Sequence, residues 1–241
     1  MNTDLISIGE AAKKLGVSID TLRRWDKKGL LRSFRISEKG HRYYQKDVLS
    51  FFLKDLFTLA KNWAESEIGV EPEKDFYCQT VDVFQNRLVR MQNELMKKND
   101  LKTPFSLLVA AAGEIGNNSF DHNLGNWSDI PGIFFGYNLN KGQIVLADRG
   151  QGILKTLSRV KPELKTDEQA LRVAFTEIIS GRAPEARGNG LKYVRKIVTT
   201  HPLRLLFYTG HAKLCLQQGD IDLNIIKRET HINGCMAIIY F

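Results

Sequence analysis

Two short helices and a hairpin are predicted by the hydrophobic pattern at the start of the chain. Residues 8–16 place alanines and a leucine on one side, and residues 19–28 predict a second helix with Ser18 as its N-cap. The tight, glycine-containing turn between them is typical of a helix-turn-helix. Residues 33–48 then predict a hairpin that turns near Gly40.

Phe and Leu are frequent over residues 48–63, which we predict to be helical. Residues 69–75 combine glycine, proline and charge and indicate a domain boundary. Apolar residues then recur at alternating four- and three-residue steps, in a heptad stripe formed by Tyr77, Val81, Phe84, Leu88, Met91 and Leu95. Such a stripe can pack either against a partner helix in a dimer or against the domain that follows it in the same chain.

An alanine-rich helix predicted for residues 110–123 carries many polar groups. Glu114, Asn118, Asp121 and His122 lie at helical intervals, so most of them share one face or edge. Asn weakens a helix interior because its side chain competes for backbone hydrogen bonds. A hard cation such as Mg²⁺, which takes oxygen ligands, explains these residues. The alternative is an ordinary helix end, where Asn is a stop signal.

Two apolar strands joined by a turn are predicted for residues 130–140 and 141–150. The second strand ends at Asp148, and Gly150 and Gly152 follow it. A carboxylate here can accept a hydrogen bond from the exocyclic amine of adenine, and the glycines let the backbone approach a flat ring. The combination therefore indicates an adenine site.

Glycines also precede the next predicted helix, over residues 192–200. Backbone N–H groups at Gly188 and Gly190 suit phosphate oxygens. Before them, a polar stretch contains a helix predicted for residues 167–179 and a loop suited to a lid over a nucleotide. Residues 228–241 alternate turn residues with apolar ones and predict a closing hairpin.

The charge balance favours a polyanionic partner. The 241 residues carry a net charge of +8, with a pI near 9.3. Three scattered cysteines lack metal-ligand spacing and suit reduced thiols. No apolar run reaches the length of a bilayer span and no signal layout opens the chain, so we expect a cytoplasmic protein outside the membrane. The excess charge is concentrated at the front, at Lys13, Lys14, Arg23, Arg24, Lys27, Lys28, Arg32, Arg35, Lys39, Arg42 and Lys46.

The front of the chain resembles the winged helix-turn-helix of the MerR and excisionase-like families. The resemblance rests on ISIGEAAKKLGVSIDTLRRWDKKGLL, GHRYY and KDVLSFF, with Trp25 where the family usually has an aromatic residue. It implies binding to double-stranded DNA, usually as a homodimer on a palindromic site. The second helix and the wing place these residues for groove and phosphate contacts: Ser18, Thr21, Arg23, Arg24, Lys27, Arg35, His41, Arg42 and Tyr43.

Residues 101–241 resemble the GHKL ATPases, which include gyrase, the heat-shock chaperone, histidine kinases and mismatch-repair proteins. EIGNNS, DRGQGI and GNGL occur in the family's order and spacing. The resemblance implies an α/β sandwich with a mixed sheet and a site for ATP and Mg²⁺. Glu114 would activate water, Asn118 would bind the metal and Asp148 would contact adenine. The other ATP-binding residues that it implies are Asp121, His122, Gly150, Gly152, Gly188, Gly190 and Leu191.

The chain departs from the GHKL pattern at two points. The glycine loop is short and lacks a repeated GLG, and no lysine further along stands out as a partner for the transferred phosphate. The chain also has no histidine between His41 and His122. It therefore lacks the phosphoacceptor that a sensor histidine kinase would carry there.

We therefore predict an α+β protein in three parts. These are a winged helix-turn-helix over residues 1–53, a helical connector over residues 54–98 and a GHKL-type ATP-binding domain over residues 99–241. The leading hypothesis is an ATP-dependent DNA-binding regulator. The alternative is a serine/threonine kinase resembling anti-sigma factor kinases, with Glu114 as the base and a STAS-like protein as the partner. A third hypothesis is a nucleotide sensor that binds ATP or ADP with negligible turnover.

Overall fold

The structure is a computed structural model, and it describes residues 5–15, 19–27, 31–35, 37, 40–53, 56–179 and 189–241. Within these ranges the side chains of Leu15, Thr21 and residues 50–53 are left undescribed. None of the helices in these ranges combines the length and the hydropathy that a membrane span needs.

The N-terminal unit confirms the two predicted helices and the pairing of the hairpin strands, while Gly16 in the predicted turn lies outside the described residues. Its hairpin strands pair antiparallel, with Phe34 opposite Tyr43. A third strand, which the hydrophobic pattern does not predict, pairs with the second hairpin strand and is too short to show a period. The elements are β1 (Leu5–Ser7), α1 (Ile8–Leu15), α2 (Ile19–Lys27), β2 (Phe34–Arg35), β3 (Arg42–Gln45) and α3 (Lys46–Leu53).

A five-stranded sheet forms the centre of the rest of the chain, and the α+β class is confirmed. Its strands are β4 (Tyr77–Cys78), β5 (Ile133–Asn138), β6 (Gln143–Asp148), β7 (Arg204–Gln217) and β8 (Asn224–Tyr240), in the order β4-β5-β6-β8-β7. Every pair among these described strands is antiparallel, so the predicted mixed sheet is wrong. The reason is that β5 and β6, and also β7 and β8, are consecutive strands that pair directly, and β8 then lies beside β6 in the opposite direction.

Both faces of this sheet are buried. On one face, Ile144 and Leu146 of β6 pack under helices. On the other face, Val145 and Ala147 pack under a single helix and the N-terminal unit. The first set of helices is α5 (Val81–Leu95), α6 (Phe105–Asn123), α7 (Gly152–Leu157), α8 (Asp167–Thr176) and α9 (Gly190–Thr200), and the single helix is α4 (Leu56–Glu65). The molecule is therefore layered around the sheet, with the N-terminal unit on one side.

The heptad stripe packs inside the molecule. Tyr77 belongs to β4 and Val81 is exposed, but the ring of Phe84 lies so close to Gly116 of α6 that a Cβ there has no room. The residues of the stripe that are buried against α6 and the sheet are Phe84, Leu88, Met91 and Leu95. The structure therefore favours packing on the following domain over a dimer seam. The boundaries after residues 53 and 98 stay predictions.

The end of the chain forms one long strand in place of the predicted closing hairpin. Residues 228–240 lie within β8, which pairs with β7. Thr209 faces Cys235 while the next residue of β7 faces Ile232, so two residues of β8 are extra at this point. One of them, Gly234, has a φ of +71°. The Asn-Gly pair that suggests a turn in the sequence forms a bulge here.

Candidate functional site

A cavity of about 310 Å³ lies between the sheet and helices α6, α7 and α9. Its volume is within the range of small-molecule sites. It brings together predicted site residues from three segments of the chain, namely Glu114, Asn118, Asp121, His122, Asp148, Gly152, Gly190 and Leu191. Asp121 is exposed and His122 is half-buried. Gly188 and the predicted lid loop over residues 180–188 lie outside the described residues.

Asp148 is a fully buried carboxylate in the wall of this cavity. It accepts hydrogen bonds from Ser119 Oγ at 2.7 Å, from the Gly150 N–H at 2.9 Å and from the N–H of Cys235. Burial raises the pKa of Asp148 to about 6, although these hydrogen bonds act in the opposite direction. A carboxyl group with a raised pKa inside a cavity is typical of a functional site.

Two residues of α6 that sequence reasoning missed hold Asp148 in place. Ser119 and Asn123 lie one helical turn apart, and Asn123 Nδ2 donates to Asp148 Oδ1 at 3.4 Å. A Cβ on Gly150 would overlap the Asn123 side chain, and Gly152 has a φ of +73° at the start of α7. The glycines after Asp148 are thus required by the fold of the site itself. The signal available in the sequence is the four-residue spacing of two polar residues on a predicted helix.

The first turn of α9 faces two polar side chains of α6. A Cβ on Gly190 would lie 2.5 Å from Glu114 Oε2 and 3.2 Å from Asn118 Nδ2, so glycine is what lets the helices approach. Asn117 is turned towards α5, where it accepts a hydrogen bond from Gln85 Nε2 at 2.7 Å. Carboxylate and amide oxygens beside the N–H groups of a helix start fit a phosphate bound with a hard metal ion.

Arg149, directly after Asp148, points to the opposite face of the sheet and is 2% exposed. Its Nε donates to Asp129 Oδ2 at 2.9 Å, and its Nη1 donates to the carbonyl oxygens of Ser66, at 2.8 Å, and of Trp63. Burial alone would raise the pKa of Asp129, but the hydrogen bonds from Arg149 lower it. Arg149 therefore fixes the end of α4 beside the strand end that carries Asp148.

Aromatic rings connect α2 to the same face of the sheet. Trp25 stacks on Phe76 with 6.0 Å between ring centroids, and Phe76 stacks on Phe134 of β5 at 5.0 Å. Arg24 forms an ion pair with Glu73 at 2.7 Å. The helix predicted to contact DNA is thus packed on the unit that contains the cavity.

The predicted DNA-contacting residues differ in how exposed their side chains are. Arg42 Nε donates to Asp26 Oδ2 at 2.9 Å, so this arginine joins the wing to α2, and Tyr43 is half-buried. Ser18 lies outside the described residues, and Thr21 is described only as part of the backbone of α2. The exposed basic and polar side chains of α2 and the wing are those of Arg23, Lys27, Arg35 and His41.

Replacing Asp26 with asparagine is expected to lower the free energy of unfolding by about 2 kcal/mol and to weaken duplex binding. Asp26 accepts from the Ser33 N–H at 2.8 Å, from Ser33 Oγ at 2.6 Å and from Arg42. Burial alone would raise the pKa of Asp26, but the hydrogen bonds from Ser33 and Arg42 lower it. The stabilisation is therefore present above about pH 4 and is lost as the pH falls through the lowered pKa.

Urea unfolding and fluorescence anisotropy with a DNA duplex measure the two effects. Asp20→Asn is the matched control, because Asp20 is on the same helix and pairs with the exposed Arg23. This control should unfold like the wild type and should not weaken duplex binding, because it removes a negative charge beside Arg23. Equal behaviour of the two variants would mean that Asp26 does not position the wing.

Comparison with known proteins identifies the N-terminal unit. The sequence model of the family described as MerR family regulatory protein matches residues 7–44. The type II methyltransferase M.Eco47II of Escherichia coli is 42% identical over 59 residues, which are 24% of this chain and 14% of the methyltransferase. The mercuric resistance operon regulatory protein of Bacillus cereus is 30% identical over 101 residues, which are 39% of this chain and 74% of that regulator. The predicted MerR resemblance is confirmed, and through its N-terminal helix-turn-helix the chain belongs to the MerR family of regulatory proteins.

Proposed function

We propose that this protein is an ATP-dependent, DNA-binding transcriptional regulator. The winged helix-turn-helix binds double-stranded DNA as part of a homodimer, and the cavity binds ATP with Mg²⁺. The observation that carries the proposal is the adjacency of Asp148 and Arg149 at the end of β6. Asp148 lines the cavity, and Arg149 holds α4 on the sheet face against which α2 is packed.

The DNA-binding half of the proposal is supported by family membership and by the surface charge of α2 and the wing. Arg23, Lys27 and Arg35 are exposed cations on these two elements. Cations on a recognition helix and a wing bind phosphates and release counterions, so duplex affinity should fall as salt concentration rises.

The nucleotide half of the proposal is supported by the chemistry of the cavity wall. ATP-Mg supplies an adenine amine, a triphosphate and a hard cation when bound. Asp148 would accept from the amine, the Asn118 amide oxygen would be a metal ligand, and the N–H groups of Gly190 and Leu191 would donate to phosphate oxygens. Glu114, which lies opposite the first turn of α9, would take a proton from a water molecule.

The regulatory step follows from how the two faces of the sheet are connected. A ligand changes an equilibrium only through its different affinity for two states. A ligand that contacts Asp148 and the following glycine segment touches the end of β6. Arg149 lies at the same strand end and is hydrogen-bonded to the end of α4. Nucleotide binding is therefore expected to change the packing of α4 and α2, and with it the pair of helices presented to DNA.

The test is the affinity for a duplex that the protein itself selects from a random-sequence pool, measured by anisotropy with and without ATP-Mg. We expect a change of about fivefold or more, which is at the lower end of allosteric coupling. By reciprocity, the duplex should change the ATP affinity by the same factor. Glu114→Gln should keep both effects and lower any turnover of ATP.

Asp222→Asn, an exposed substitution between β7 and β8, is the control and should behave like the wild type. Binding of ATP-Mg without any change in duplex affinity would overturn the coupling. Failure of calorimetry to detect ATP binding would overturn the nucleotide half, and the family assignment would stand.

A further inference from the structure

We propose that Lys192 is a phosphate-binding residue of the cavity and makes it select nucleoside polyphosphates over the bare nucleoside. The inference rests on the proposed ATP site and deepens it. In the segment Gly-Asn-Gly-Leu-Lys, Lys192 occupies the position where a repeated GLG would place a glycine. The short glycine loop is thus followed by a cation.

Lys192 lies in the wall of the cavity, on the first turn of α9. Its side chain is half-buried, and Nζ donates to the carbonyl oxygen of Glu177 at 2.5 Å. The carboxylate of Glu177 is paired with Lys161, also at 2.5 Å. An ammonium group has three N–H donors, and among the described residues a carbonyl oxygen takes one of those of Lys192.

The charges of the cavity wall make this lysine significant. Glu114, Asp121 and Asp148 line the cavity, and these carboxylates repel a triphosphate. Among the described residues of the wall, Lys192 is the single lysine or arginine. Within this described part of the wall, the contact of a lysine or arginine with a phosphate group therefore comes from Lys192 Nζ.

Burial and the start of α9 both disfavour the positive charge of Lys192. Burial lowers the pKa of Lys192, and the charge of Glu177 offsets this only in part. The positive end of the α9 dipole lies at the same turn, and the first turn of α9 contains no acidic residue. A bound phosphate group would offset both the burial of the ammonium group and the positive end of the helix dipole. Its negative charge faces the dipole, and its oxygens accept a charge-assisted hydrogen bond from Nζ.

The test compares ATP, ADP and adenosine, each with Mg²⁺, by calorimetry on the full chain. Lys192→Gln should weaken ATP binding by about tenfold or more and leave adenosine affinity within about twofold. Lys192→Arg should recover most of the ATP affinity, because it restores the charge. Lys196→Gln is the matched control: it removes an exposed lysine one turn further along α9 and should leave all three affinities unchanged.

The outcomes separate this inference from the ATP site itself. If Lys192→Gln weakens ATP and adenosine equally, the lysine acts by holding the end of α8 and the inference is wrong. If the wild type binds ATP and Lys192→Gln binds it equally well, the inference alone falls. If the wild type binds adenosine, ADP and ATP with the same affinity, selection for the phosphates is absent. If it binds none of them, the nucleotide site falls as well.

Discussion

Replacing Arg149 with methionine is expected to lower the free energy of unfolding by about 3–5 kcal/mol. The guanidinium group is 2% exposed, and the substitution leaves the Asp129 carboxylate and the carbonyl oxygens of Trp63 and Ser66 without this donor. Arg149→Lys should also destabilise the protein, since one ammonium group cannot reproduce a planar fork that reaches a carboxylate and two carbonyls. Urea unfolding at neutral pH measures both changes.

Arg90→Met is the matched control for Arg149. Arg90 pairs with Glu94 on the surface of α5, with 74% of its side chain exposed, so its loss should change the unfolding free energy by less than about 0.5 kcal/mol. A similar small change for Arg149→Met would contradict its role as the anchor of α4.

In the folded fraction, Arg149→Lys should keep its affinity for ATP and reduce the effect of ATP on duplex binding.

Local sequence pattern was sufficient for the elements whose contacts are close in sequence. The helices of the N-terminal unit and the β5–β6 hairpin form where periodicity and turn residues predict them. The same is true of the cavity residues on α6, because helical spacing alone places Glu114 and Asn118 on one side.

The remaining features depend on partners far away in the chain. The buried Arg149 donates to the carbonyl oxygen of Trp63, which lies 86 residues earlier in the chain. Nothing in the sequence around Arg149 distinguishes it from a surface arginine. Asn233 and Gly234 have the composition of a turn, but pairing with β7 makes them a bulge. Lys192 became a candidate only when the structure placed it among carboxylates from α6 and β6.

Replacing Asp148 with asparagine is expected to stabilise the protein without nucleotide and to abolish ATP binding. The folded-state pKa is raised from 3.8 to about 6, so below pH 3.8 the group is protonated in both states and causes no loss. As the pH rises to about 6, the unfolded chain ionises while the folded one does not, and stability falls by about 3 kcal/mol at about 1.4 kcal/mol per pH unit. Asparagine stays neutral, its Oδ1 can still accept from the Gly150 N–H, and its Nδ2 can donate to Ser119 Oγ, because a hydroxyl can accept as well as donate.

The measurement is urea unfolding of both proteins from about pH 4 to about pH 8, with calorimetric titration of ATP-Mg near pH 7.5. The free energy of unfolding of Asp148→Asn, relative to that of the wild type, should increase between about pH 4 and pH 6 and stay constant above that range. The control Asp100→Asn, at an exposed position, should follow the wild type at every pH. If the unfolding free energies of Asp148→Asn and the wild type change with pH in parallel, the raised pKa of the buried Asp148 carboxyl group is contradicted. A gain in stability together with a loss of ATP binding would mean that this carboxylate is kept for the ligand at the expense of the fold, which is the behaviour of a binding residue.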